Sequence, residues 1–107
     1  MATCTKIEVT KCDNELYIIA IPATAGLGSF EILHMSSGFG NPVNYTVIPQ
    51  SILPKGNYTL SFLGINWGGP QEFHVTLTIG GVATPGFVVP LGPAPVGCTS
   101  HTVAITV

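Results

Sequence analysis

Between Glu72 and Ile79 every second residue is apolar: Phe73, Val75, Leu77 and Ile79 alternate with Glu72, His74, Thr76 and Thr78. A period of two belongs to a strand, whose successive side chains point to opposite faces, and it cannot fill one face of a helix. The segment therefore predicts a strand with the four apolar residues turned inward and the polar four turned out. The same period recurs along the chain, interrupted at intervals of about eight to twelve residues by turn formers, which is the pattern of an all-β domain.

In chain order, Ile7 and Val9 alternate with Lys6, Glu8 and Thr10 and read as an edge-like strand. Cys12, Asp13, Asn14 and Glu15 read as a turn, and residues 16–21, apolar at nearly every position, as a central strand. After a loop over 22–28, residues 30–35 hold good helix formers behind Ser29, a possible cap, but are read as a strand. Val43, Tyr45 and Val47 give the next strand, and Pro54, Lys55 and Gly56 a turn that launches residues 58–62. Gly80 and Gly81 predict a tight hairpin into 82–89; a Pro-rich loop covers 90–97, and Val103, Ile105 and Val107 close the chain. The expected fold is all-β: one domain over residues 1–107, an antiparallel β-sandwich of seven or eight strands, immunoglobulin-like or jelly-roll-like. A chain of 107 residues buries roughly two-thirds of its unfolded surface, enough for one core without a metal or a dense disulfide framework.

Charge narrows the function classes. Only 7% of the residues are charged, there is no arginine, and five of the eight charges are Lys6, Glu8, Lys11, Asp13 and Glu15. From residue 16 onward only Glu31, Lys55 and Glu72 remain. With a net charge of −2 and no basic stripe, nucleic acid is a poor partner, because its binding needs several phosphates neutralised. No apolar run approaches the ~20 residues of a spanning helix, so no membrane span is expected. Lys6, Glu8, Lys11 and Asp13 break any leader-like start, so no signal peptide is visible, while the composition favours an extracellular or surface-associated setting. Asn44 and Asn57 each open an Asn-Tyr-Thr glycosylation pattern, which is frequent by chance in a Thr-rich β protein.

Three cysteines cannot all pair within one chain. If the first and last strands lie side by side and parallel, Cys4 and Cys98 both sit at strand starts with the same outward phase. A Cys4–Cys98 disulfide is then expected, with Cys12 left over to join chains; three reduced thiols are the alternative.

The sole tryptophan, Trp67, falls in a loop over residues 64–71 beside Asn66 and Gln71. Asn66, Trp67 and Gln71 form a candidate sugar site, the ring stacking on a pyranose and the amides meeting hydroxyls. The alternative is that Trp67 folds back and plugs one end of the domain. Metal and cofactor sites are not expected: His34, His74, His101 and the thiols lack close ligand spacing, Glu72 and His74 share a strand face without an evident third ligand, and Asp13 is the sole aspartate. Glu31 and Glu72 make a poor glycosidase pair in so small a domain, and Ser36-Ser37-Gly38 is not a nucleophile elbow. The chain thus reads as no enzyme but as a structural or protein-interaction module that self-associates, its partner itself or another protein subunit. A small carbohydrate-binding, lectin-like module using the Trp67 loop is the alternative, with a glycan as ligand.

Overall fold

The computed structural model of the chain describes residues 2–107. Its strands are β1 (Cys4–Pro22), β2 (Phe30–Ser37), β3 (Tyr45–Val47), β4 (Asn57–Asn66), β5 (Pro70–Ile79), β6 (Val82–Pro93) and β7 (Gly97–Thr106), with one 3-10 turn at Pro49–Ser51. All the pairings are antiparallel. The residues expected as a strand over 30–35 are one, and no helix among the described residues is long and apolar enough to cross a membrane.

One strand organises the rest. β1 is 19 residues long; its first half pairs with β5 and β3, its second with β4 and β2. The order β6-β5-β1-β4-β7, with β2 and β3 along the other side of β1, makes a single curled antiparallel sheet of seven strands, a half-barrel. The expected turn at residues 12–15 is absent, because β1 runs straight through them. What changes there is the phase: Ile7 and Val9 face inward on one parity, and Cys12, Leu16, Ile18 and Ala20 on the other. A register shift between Val9 and Lys11 produces the switch, since one extra residue in a strand moves every later side chain to the other face. Residues 7–9 of the expected edge-like strand are likewise not an edge, being paired on both sides.

The concave face carries the core. Phe62 of β4 stacks on Phe87 of β6 at 5.7 Å between centroids and 5° between planes, and Phe73 of β5 lies 5.6 Å from the same Phe87. Phe73, Val75 and Leu77 are buried as the alternation predicts, while Ile79, at the end of β5, is only half covered. Gly64 makes the tight approach possible: a Cβ there would lie 2.8 Å from a Phe73 ring carbon. The predicted hairpin forms, Ile79 facing Val82 across Gly80 and Gly81, whose φ of 58° and 78° suit the left-handed two-residue turn that matches strand twist.

The first and last strands are parallel but not neighbours, since β4 lies between β1 and β7. Cys98 faces Ile65, which faces Glu15, eleven residues along β1 from Cys4 and so about 36 Å of strand path away. Cys4 is buried and Cys98 exposed, and the three thiols are free. The structure does not bring the expected Cys4–Cys98 pair together, because β4 separates the two strands and the register shift after Cys4 turns its side chain inward.

Candidate functional site

The Trp67 loop joins β4 to β5, and its three candidate residues separate into different roles. Asn66 ends β4 on the inward phase and is 1% exposed. Its Nδ2 donates to the carbonyls of Gly69, Ala94 and Pro95, each at 3.1 Å, and its Oδ1 accepts from the Gly68 N–H at 3.2 Å. Every polar atom of the Asn66 side chain is engaged in fastening this loop to the one after β6, so it has nothing left for a ligand. Gln71 is half-buried on β5. Trp67 does not plug the fold: it is 57% exposed, its backbone N–H donates to Asn14 Oδ1 at 2.8 Å, and its Nε1–H donates to Glu15 Oε1 at 3.3 Å.

Glu15 is the residue that spacing alone missed. On the outer parity of β1's second half, Glu15 and Tyr17 project from the convex face, and β2 sets His34 opposite Tyr17. The Tyr17 and His34 rings stack at 4.0 Å and 11°. His34 Nε2 stands 2.6 Å from Glu15 Oε2, and the Tyr17 hydroxyl donates to the same oxygen at 3.3 Å. An ionised carboxylate only accepts, so His34 must carry its proton on Nε2 here. The carboxylate thus has partners on both oxygens. The His34 hydrogen bond holds the Glu15 carboxyl below its ordinary range, the Trp67 and Tyr17 bonds add to the effect, and partial burial opposes it. Tyr17 is pushed the other way, first by burial and then by the Glu15 charge. The one signal available beforehand was the pair Glu15 and Tyr17, two apart on one face; the partner on β2 depended on register.

Beside this cluster, along the free side of β2, runs a groove of about 320 Å³ lined by Glu31, His34, Met35 and Tyr45. Tyr45 is 53% exposed. His34 belongs to both the cluster and the groove.

Other candidate groups stay apart. Glu31 is on β2 and Glu72 on β5, in opposite halves of the sheet. Glu72 approaches His74 at 3.6 Å and Lys11 at 4.0 Å, and no group of three or more metal-ligating side chains forms among the described residues. Cys12 is buried, and burial together with the nearby Asp13 and Glu15 charges pushes its thiol up to about 11. The exposed thiol is Cys98, so the chain-joining role expected for Cys12 has no support in its position.

The edges of the sheet differ in how they are protected. β3 is three residues long; β6 carries Pro85, Pro90 and Pro93 and two register shifts in its pairing with β5; β2 carries Glu31 and a shift against β1. β7 has none of these, although β6 approaches it around residues 99–101, where the two strands line a groove of about 280 Å³. It pairs with β4 over ten residues without a break, and Gly97–Thr106 contains no proline and no charged side chain. Compared with family models, curated proteins and solved structures, the chain matches none.

Proposed function

We propose that the protein is a non-catalytic structural module that self-associates by strand addition at β7, the two halves of its curled sheet serving as the layers of a sandwich. The observation that carries this reading is the unprotected β7 edge. Natural sheets blunt their edges with lysine, proline, bulges or shortness, because a bare row of backbone donors and acceptors templates another strand. Here those devices are present at three edges and missing at the fourth. The occupant is a second copy of the same strand. A two-fold axis pairs β7 with itself in the antiparallel sense, the commonest closed symmetry. No charged side chain follows Glu72 in the sequence, so the β7 edges of the two copies meet without like-charge repulsion.

Ser100→Lys combined with Thr102→Lys places two charges on exposed outer positions of β7 without touching the core. Sedimentation velocity over a concentration series should show a dimer for the wild type and a monomer for the variant. A wild type that stays monomeric at the highest concentration, or a variant that associates as well as the wild type, would sink the proposal.

A further inference from the structure

We propose that the convex face around Glu15, together with the groove along β2, is a binding site for a neutral saccharide. Three observations converge on this chemistry. First, Trp67 is an exposed ring held rather than a mobile one: both its N–H groups are tied to β1, through Asn14 and Glu15, so its face is presented to solvent at little ordering cost. Second, on the other side of the same carboxylate the Tyr17–His34 stack forms a second aromatic surface, and the groove beyond His34 ends on exposed Tyr45. Third, the groove is lined by the Glu31 carboxylate, by His34 and by the backbone N–H and C=O groups of a strand whose outer side lacks a strand neighbour, so it offers both acceptors and donors.

Aromatic rings suit the apolar faces of pyranose rings, and carboxylate and carbonyl acceptors suit hydroxyl donors. The groove holds the Glu31 carboxylate and neither Lys nor Arg, and its His34 is already engaged by Glu15, which selects against phosphate and sulfate. Against a cationic ligand stands the state of Glu15: its charge is already met by His34, Tyr17 and Trp67, which leaves Glu31 as the one carboxylate of the site without such partners. The groove volume of about 320 Å³ is of the size at which small-molecule sites begin. This site differs from the expected one: Trp67 is kept, Asn66 and Gln71 are replaced by Glu15, His34 and Tyr45. It lies apart from the β7 edge and does not rest on self-association.

Because Trp67 is the sole tryptophan, its fluorescence reports on the site directly. Titration of the full chain with short gluco-, manno-, galacto- and N-acetylglucosamine oligosaccharides should give a saturable change with one class, insensitive to salt as expected for a neutral ligand. Calorimetry with that sugar should then show about tenfold weaker binding for Trp67→Ala and for Tyr45→Ala, each with unchanged far-UV circular dichroism. Ser100→Lys with Thr102→Lys should bind as the wild type does. No saturable response from a folded sample to any of the four classes overturns the proposal, as does full affinity in both aromatic variants. Saturation by choline alone, weakened by salt, overturns it in favour of a cation site.

Discussion

His34 on β2 and Glu15 on β1 are joined side chain to side chain at 2.6 Å although they are not a facing pair: Glu15 faces Ser36, and His34 faces Tyr17. The bond is diagonal across the two strands, and the Tyr17 ring fills the space between them by stacking on His34. Such diagonal neighbours are within reach of long side chains in antiparallel sheets. The result is a small polar structure on a face otherwise poor in charge, and it fixes the position from which Glu15 receives Trp67.

That bond makes Glu15 a source of acid sensitivity. Its folded-state carboxyl titrates below the ordinary value, first because of His34. A group with a depressed folded pKa contributes stability above its unfolded value, about 4.3 for glutamate, and loses it as pH falls through the folded value. Wild type should therefore melt above Glu15→Gln at neutral pH, and the gap should close in acid. Thermal unfolding of both proteins across that range checks the sign; a gap that is constant with pH would show that the carboxylate charge has no part in it.

The thiols should react in a fixed order. Cys98 is exposed on β7, whereas Cys4 and Cys12 are buried, and burial raises both buried thiols above their ordinary range. A thiol-reactive reagent applied to the native protein should label one cysteine promptly, with peptide mapping placing it at Cys98. The other two should label only on unfolding. Prompt labelling of Cys12 would contradict the burial described for β1.

What could be read from the chain follows how local its cause is. β5 was legible because Phe73, Val75 and Leu77 obey one unbroken parity, and the β5–β6 turn because Gly80 and Gly81 are the residues that positive φ requires. β1 was not, because the shift between Val9 and Lys11 swaps its inward parity, and the polar residues at the swap imitate a turn. Cys4 and Cys98 stay apart for a non-local reason too, since β4 occupies the place between β1 and β7. At the Trp67 loop the ring is exposed, as a ligand-contacting ring must be, whereas the Asn66 beside it is buried and engaged by the fold. Asn66 looks like a ligand residue in one dimension, yet its partners at Ala94 and Pro95 come from the loop after β6, 28 and 29 residues away.

Asn66 should matter for stability rather than binding. Its Nδ2 protons are shared among three carbonyls, and removing the amide from this buried position loses those hydrogen bonds together, each worth about 0.5–1.5 kcal/mol net, for about 1–3 kcal/mol in all. Asn66→Ala should lower the free energy of unfolding in urea by about that amount, with the denaturant slope unchanged. An effect within the scatter of surface substitutions, about 0.5 kcal/mol, would mean that the two loops are not fastened by this side chain.

Gly64 tests the close approach of β4 and β5. An alanine methyl would meet three Phe73 ring atoms at 2.8, 2.9 and 3.0 Å, and Phe73 is fully buried and packed on Phe87. Overpacking of this kind costs about 1–3 kcal/mol. Gly64→Ala should be destabilised to that extent, and adding Phe73→Leu should recover part of the loss relative to the sum of the single changes. Strict additivity of the two would remove the contact as the cause.

Asp13 should show the opposite pH behaviour to Glu15, two residues away on the same strand. It is 5% exposed, its Oδ2 has no hydrogen-bond partner, and its carboxyl titrates above the ordinary range, first because of burial and then because Glu72 faces it across β5. A carboxyl whose folded pKa exceeds the unfolded one binds its proton more tightly in the native state. It therefore destabilises the fold once pH rises above both values, and protonation relieves this as pH falls. Asp13→Asn keeps the shape and removes the charge, so it should raise the melting temperature at neutral pH, with the gain shrinking in acid. Since Glu15→Gln loses stability at neutral pH and Asp13→Asn gains it, melting the two variants beside the wild type gives an internal control. A loss of stability in both would place an unrecognised partner on Asp13, and the buried carboxylate would then be a strut of the β1–β5 junction rather than a strain upon it.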